Sequence, residues 1–141
     1  MKVERVTHAD DALVAALARL VPQLSPQRTP PGLTELEELV ASGTSLFVAR
    51  DGDAVLGMLT LVLYRVPTGL RGWIHDVVVD EDARGRGAGE ALTRAALGHA
   101  RAEGAASVHL TTRPQREAAN RLYRRLGFEQ HETNVYVWRP G

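Results

Sequence analysis

Arg84-Gly85-Arg86-Gly87-Ala88-Gly89 stands between a segment that reads as a strand, Gly72 to Val79, and one that reads as a long helix ending near Glu103-Gly104. A turn in that place leaves backbone N–H groups unpaired at the N-terminal approach of the helix. With the partial positive charge of the helix end they form an anion site suited to phosphate. The glycines permit positive φ and close approach of a ligand to the backbone. A P-loop would close on Gly-Lys-Ser/Thr, but Gly89 is followed by Glu90-Ala91. A dinucleotide fingerprint counted from Gly85 needs a final glycine where Glu90 stands, and it belongs near the start of a βαβ unit. The residues by themselves therefore leave two readings, a phosphate site of another kind or a glycine loop with no ligand.

Working outward, the middle of the chain reads as an antiparallel meander. Ser45 to Arg50 is a strand, Asp51-Gly52-Asp53 a hairpin turn, and Val55 to Tyr64 a second strand. A loop from Arg65 to Arg71 precedes Gly72 to Val79. Upstream, Val3 to Thr7 opens as a strand. Asp10 caps a helix to about Leu20, Pro22 to Gly32 is irregular, and Thr34 with Glu37 forms a capping box for Glu35 to Ser42. Downstream come the strand Ser107 to Thr111, a helix Glu117 to Leu126 stopped by Gly127, and two short strands from Phe128, the last being Val135 to Trp138. Antiparallel pairing early and helical crossovers late indicate an α+β fold with a mixed sheet.

The length of 141 residues fits one domain, 1–141. A net charge of +0 gives no general argument for nucleic acid or an acidic membrane as partner. The absence of cysteine excludes disulfides, thiolate nucleophiles and cysteine zinc sites. Met1-Lys2-Val3-Glu4-Arg5 carries charge where a signal peptide needs apolar residues, and no window approaches a membrane span, so the expected compartment is the cytoplasm. His8, His99, His109 and His131 show no metal-ligand spacing, and no metal is expected.

At this point the chain resembles the GCN5-related N-acetyltransferase (GNAT) superfamily. Arg84 to Gly89 matches its R/Q-x-x-G-x-G/A signature, Ile74-His75-Asp76-Val77-Val78-Val79 looks like the strand before it, and Ala118-Ala119-Asn120-Arg121-Leu122-Tyr123, ending in Leu126-Gly127-Phe128, is similar to its late A-x-x-L-Y-x-x-x-G-F block. The resemblance implies a mostly antiparallel sheet of six to seven strands with about four helices. Its central strands, here 74–79 and 107–111, would splay to admit acetyl-CoA. Val77, Val78 and Val79 would line the pantetheine arm, with the N–H near Val79 polarising the thioester carbonyl. Arg84, Gly85, Arg86, Gly87, Ala88 and Gly89 would hold the pyrophosphate, and Asn120 would reach the cofactor arm.

The implied reaction is attack of a primary amine on the thioester. Tyr123 matches the family's tyrosine at the leaving sulfur; the alternative is packing beside Leu122 and Leu126. Histidine has an unperturbed pKa of about 6.5, close to working pH, and His75 is a candidate base acting through water. Part of the family has a carboxylate at that position, and a histidine that only shapes the pocket is the other reading. By alternation His75 shares a face with Val77 and Val79, while Asp76 points the other way. Acceptor contacts are expected from Val21 to Gly32 and Arg65 to Arg71, with Trp73. Arg28, Arg65 and Arg71 there suit an acidic substrate or are solvated charges. The acceptor is a small-molecule amine or a peptide, and a non-catalytic acyl-CoA-binding module is the alternative function. The apolar strand Val135 to Trp138 either completes the sheet or pairs two copies as a homodimer.

Overall fold

Asp10 accepts the Leu13 N–H on its carboxylate at 2.8 Å, satisfying one of the free donors at the start of the first helix. The computed structural model describes residues 1–141. Its elements in order are β1 (Lys2–Arg5), α1 (Asp11–Leu24), α2 (Leu33–Ala41), β2 (Ser45–Asp51), β3 (Ala54–Val66), β4 (Gly69–Val79), a 3₁₀ turn (Glu81–Ala83), α3 (Ala88–Glu103), β5 (Ser107–His109) and α4 (Glu117–Arg125). The class is α+β, with four helices. The chain falls into two units, Met1–Leu110 and Thr111–Gly141. No helix is long and apolar enough to cross a membrane.

The first unit is a 5-stranded sheet in the order β1-β2-β3-β4-β5. β1 to β4 pair antiparallel, and β5 joins β4 in parallel. On one face Leu13, Leu17 and Leu20 of α1 and Leu36 of α2 pack with Leu46, Val48, Met58 and Val78. Each fully buried leucine there stabilises the fold by about 1.5–3 kcal/mol. On the other face lies α3. A methyl group on Gly57 would stand 3.3 Å from Leu92 Cδ1, and the Phe47 ring meets His99 edge-on at 5.9 Å.

Several expectations shift. The loop foreseen from Arg65 to Arg71 is only a Pro67-Thr68 turn, because β3 and β4 stay paired out to Val66 and Gly69. Pairing satisfies the backbone groups that a longer loop would leave to water. Pro22 lies inside α1 and does not end it. A proline near a C-terminus forfeits one bond, and the last turn persists, with Ser25 N–H donating to Val21 O at 2.9 Å. The cap of α2 is Gly32, whose N–H donates to Glu35 Oε2 at 3.1 Å, so the Thr34–Glu37 box is displaced by two residues. The sheet has five strands and not six or seven. Residues 128–141 contain no strand, and Val135, Tyr136, Val137 and Trp138 are 65%, 89%, 66% and 84% exposed. Alternating apolar residues make a strand only where a neighbour takes up their N–H and C=O groups.

The most consequential difference is in β4. Met58 pairs with Val78, but Thr60 pairs with His75, so three steps along β4 face two along β3. The extra residue is accommodated at Asp76, whose φ of 52° is in the left-handed region. This is a β-bulge, and it breaks the alternation. Cross-strand partners share a face. His75 therefore goes with Thr60 to the α1/α2 face, whereas Val79 goes with Gly57 to the α3 face. The expectation that His75 shares a face with Val79 is overturned. Aspartate is among the few side chains that tolerate this backbone conformation.

Candidate functional site

The turn after β4 is built by its own polar groups. Asp80 N–H donates to Leu56 O at 2.7 Å, and the Asp80 carboxylate accepts the Asp82 N–H at 3.2 Å to start the 3₁₀ turn. Gly85 and Gly87 then take φ of 81° and 82°. Gly87 is the N-cap of α3 and offers no side chain to the first turn, whose first intrahelical donor among these residues is Ala91 N–H, to Gly87 O at 3.0 Å. The preceding N–H groups remain available to an external anion. Added Cβ atoms at Gly85 and Gly87 would meet nothing within 4 Å, so the surface over the turn is open. Arg84 is exposed beside it and makes no ion pair. This donor set, cationic and rich in backbone N–H, fits a pyrophosphate. Gly89 lies within α3, and its carbonyl accepts from Thr93 Oγ1 at 2.7 Å.

Two ion pairs brace the turn. Arg19 of α1 donates to Asp80 at 2.8 Å and to Val55 O at 2.6 Å. Arg86, expected to face the phosphate, instead donates to Asp51 in the β2–β3 hairpin at 2.6 Å. The Arg86 hydrogen bond and charge hold the Asp51 carboxyl below its ordinary value. An open pocket of about 570 Å³ beside these pairs is lined by α1 and the hairpin, with Arg19, Arg50, Asp53, Asp80 and Asp82 at its walls. Sequence reasoning missed Asp80, Arg19 and Asp51. Asp80-Glu81-Asp82 at the end of a strand carries the signal of a side-chain-capped turn. Nothing local marks Arg19, which lies 61 positions from its partner.

The Arg19 hydrogen bond, then the Asp82 N–H, hold the Asp80 carboxyl below its ordinary value of 3.8. A depressed carboxylate stabilises the folded state above its unfolded pKa, and that contribution disappears as pH falls through the lower folded value. Melting curves taken from pH 6 down to pH 3 are therefore expected to separate wild type from Asp80→Asn at the upper end, with the gap narrowing once pH falls below the ordinary value of 3.8. A constant gap across that range would show that the charge of Asp80 is not what stabilises the turn.

β4 offers a free edge next to this turn. β5 pairs only with Arg71, Gly72 and Trp73, leaving 74–79 without a strand on that side. Asp80 N–H is committed to β3 through Leu56 O. Successive N–H groups along a strand point to opposite edges, so Val79 N–H faces the free one. On the α1/α2 face His75 stacks on Trp73 at 6.1 Å between centroids, and Trp73 stacks in turn on His109 at 5.5 Å. His75 and His109 are exposed and Trp73 is partly buried. His109, set aside on sequence grounds, thus belongs to the same row of rings.

Asn120 and Tyr123 belong to the second unit and are described within it. The Asn120 amide donates to Arg113 O at 3.0 Å and Arg116 O at 2.8 Å, tying the entry of α4. Tyr123 meets Phe128 edge-on at 5.6 Å, and burial pushes its phenol above the ordinary value of 10.0, against a smaller opposing effect of Arg116. The phenol is thus held in its proton-bearing form. Gly127 has φ of 96° and ends the helix as its sequence suggests. No three His, Cys, Asp or Glu side chains gather as a metal cluster.

The chain is 35% identical over 107 residues to the mycothiol acetyltransferase of Saccharopolyspora erythraea, covering 76% of this chain and 34% of that protein. It thus spans about a third of the length of that relative. It is also 35% identical over 132 residues to glucosamine 6-phosphate N-acetyltransferase 1 of Oryza sativa subsp. japonica, covering 84% of this chain and 76% of that one. Among solved structures, an aminoglycoside acetyltransferase from an uncultured soil metagenomic sample has the same fold, with a TM-score of 0.83 at 22% identity over 98% of this chain and 94% of the other. The acetyltransferase (GNAT) family profile matches residues 13–128, most of the chain, and the chain belongs to that family.

Proposed function

We propose that residues 1–141 act as one acetyltransferase domain, which moves an acetyl group from acetyl-CoA to the primary amine of a small molecule. The observation that carries this reading is the turn at 84–89, where two left-handed glycines and an uncapped helix start leave backbone donors under open space. Arg84 and the N–H groups of the turn hold the pyrophosphate, and the free edge of β4 at Val77, Val78 and Val79 receives the pantetheine arm in a splay between β4 and β5. Acetyl-CoA supplies an activated acyl group and a thiolate leaving group. Asn120 contributes its carboxamide oxygen to the cofactor arm, since its nitrogen is engaged by Arg113 O and Arg116 O.

His75 takes the ammonium proton of the acceptor through water, which frees the nitrogen lone pair. The nitrogen forms its bond to the acyl carbon as the carbon–sulfur bond breaks. Val79 N–H donates to the carbonyl oxygen while it carries developing charge. Tyr123 gives its proton to the departing sulfur, and the second proton that the nitrogen sheds as the amide forms restores the phenol. The acceptor reading is small-molecule because the two relatives named above are called mycothiol acetyltransferase and glucosamine 6-phosphate N-acetyltransferase 1. The competing reading, a module that binds acyl-CoA without turnover, needs no proton donor at Tyr123 and leaves it only its packing on Phe128.

A thioester-consumption screen against amine libraries, paired with calorimetric titration of acetyl-CoA, tests this. The expected result is saturable binding with amine-dependent release of free thiol. Binding with no release across sugar, amino-acid, polyamine and peptide amines would leave the binding module as the function. Absence of binding would remove the acetyl-CoA assignment.

A further inference from the structure

Only two arginines of the chain are partly buried, Arg50 and Arg71, the others being exposed. Arg50 is met by the Glu4 carboxylate. Arg71 is met by two neutral hydroxyls, Ser107 Oγ at 3.2 Å and Thr68 Oγ1 at 2.9 Å, and by no carboxylate. The hydroxyls fix the guanidinium without neutralising it. A partly desolvated cation in that state favours an anion as its remaining partner, and the planar fork takes a carboxylate or phosphate with two parallel hydrogen bonds.

Its position gives the charge a purpose. Tyr64 pairs with Arg71, Val62 with Trp73 and Thr60 with His75, and across the other edge Ser107 pairs with Arg71 and His109 with Trp73. All of these residues share one face, and none is a carboxylate. Arg71 and His75 therefore lie on the same line of β4, their Cα atoms about 13 Å apart, with the Trp73 ring between them. Trp73 stacks with both His75 and His109, so the three rings form a wall in which they brace each other.

We propose that the acceptor amine carries an oxyanion group, phosphate or carboxylate, which Arg71 receives while the amine lies at His75. This rests on the acetyltransferase reading and narrows it, from small-molecule amines in general to those that also carry an anion. Ser107 and Thr68 act as positioning residues for Arg71.

Two measurements test it. In the first, the Arg71 Nε–H signal is followed by NMR while inorganic phosphate, and separately acetate, is titrated into the coenzyme A-saturated protein. A saturable shift is expected in wild type, and Arg71→Gln is expected to lose saturable perturbation of the neighbouring β4 and β5 amides. Which anion saturates first tells phosphate from carboxylate. In the second, kcat/KM is compared for glucosamine 6-phosphate and glucosamine, which present the same amine. Wild type is expected to prefer the phosphorylated acceptor by about tenfold or more, the size of a charge-assisted bidentate contact. Arg71→Gln brings the ratio close to one, and Arg71→Lys retains part of it.

Equal phosphate response in wild type and Arg71→Gln, or an unchanged acceptor ratio, overturns the proposal even with acetyl transfer intact. Arg71-dependent anion binding with no transfer to any amine would keep the anion site and reject the acetyltransferase reading.

Discussion

Tyr123→Phe is expected to lower kcat by about 100-fold or more, the low end of what a positioned proton donor contributes, while the KM for acetyl-CoA changes little. The phenol is partly buried, and that burial raises its pKa. It therefore keeps its proton to higher pH than an exposed tyrosine does. Phenylalanine keeps the ring that meets Phe128 at 5.6 Å and so keeps the packing of α4. An interaction made only as the sulfur departs shows in kcat, and one made equally with bound substrate shows in KM. Stopped-turnover assays on the folded variant, with circular dichroism as the folding control, separate the two. Full turnover would mean that Tyr123 is a packing residue and that the thiolate leaves without its help. A rise in KM alone would make it a binding contact.

What the sequence made legible follows from how local each signal is. The Asp51-Gly52-Asp53 turn, the Asp10 cap and both ends of α3 are written in neighbouring residues, and they stand where they were expected. The glycine turn was legible for the same reason, since φ of 81° and 82° is a property of single residues. The bulge at Asp76 was not. Ile74 to Val79 reads as an uninterrupted strand, and only the register against Met58 and Thr60 shows that it carries one residue too many. That single residue decides which face His75 serves. The partners of the turn were hidden in the same way, because Arg19 and Asp51 reach it across the fold. Arg86 carries the further lesson that a residue inside a motif is not thereby a ligand contact. Its guanidinium is engaged by the hairpin, which leaves the backbone N–H groups and Arg84 for the proposed pyrophosphate site. Val135 to Trp138 failed for the complementary reason: apolar alternation describes a strand's faces, whereas its existence depends on a hydrogen-bonding edge.

The glycines of the turn differ in what they contribute, and this yields the second large effect. Gly87 sits at φ 82° as the N-cap of α3. A valine there faces a left-handed backbone that costs an L-residue about 1–2 kcal/mol, and a β-branched one more. Nothing lies within 4 Å of its Cβ, so the penalty is conformational and is relieved by moving the turn. Moving the turn redirects the N–H groups that, on the proposed reading, hold the pyrophosphate. Gly87→Val is therefore expected to weaken acetyl-CoA binding by about 100-fold, equivalent to two of the charge-assisted hydrogen bonds such a site makes, with the melting temperature lowered by only a few degrees. Gly89 has no positive φ and lies within α3, where alanine is the better helix former by about 1 kcal/mol. Gly89→Ala is expected to fold at least as well as wild type. Whatever affinity it loses reports only how near the ligand comes to that Cα. Calorimetry on both variants reads the two causes apart. Equal losses would make close approach the reason for both glycines, and an unaffected Gly87→Val would remove the turn from the cofactor site.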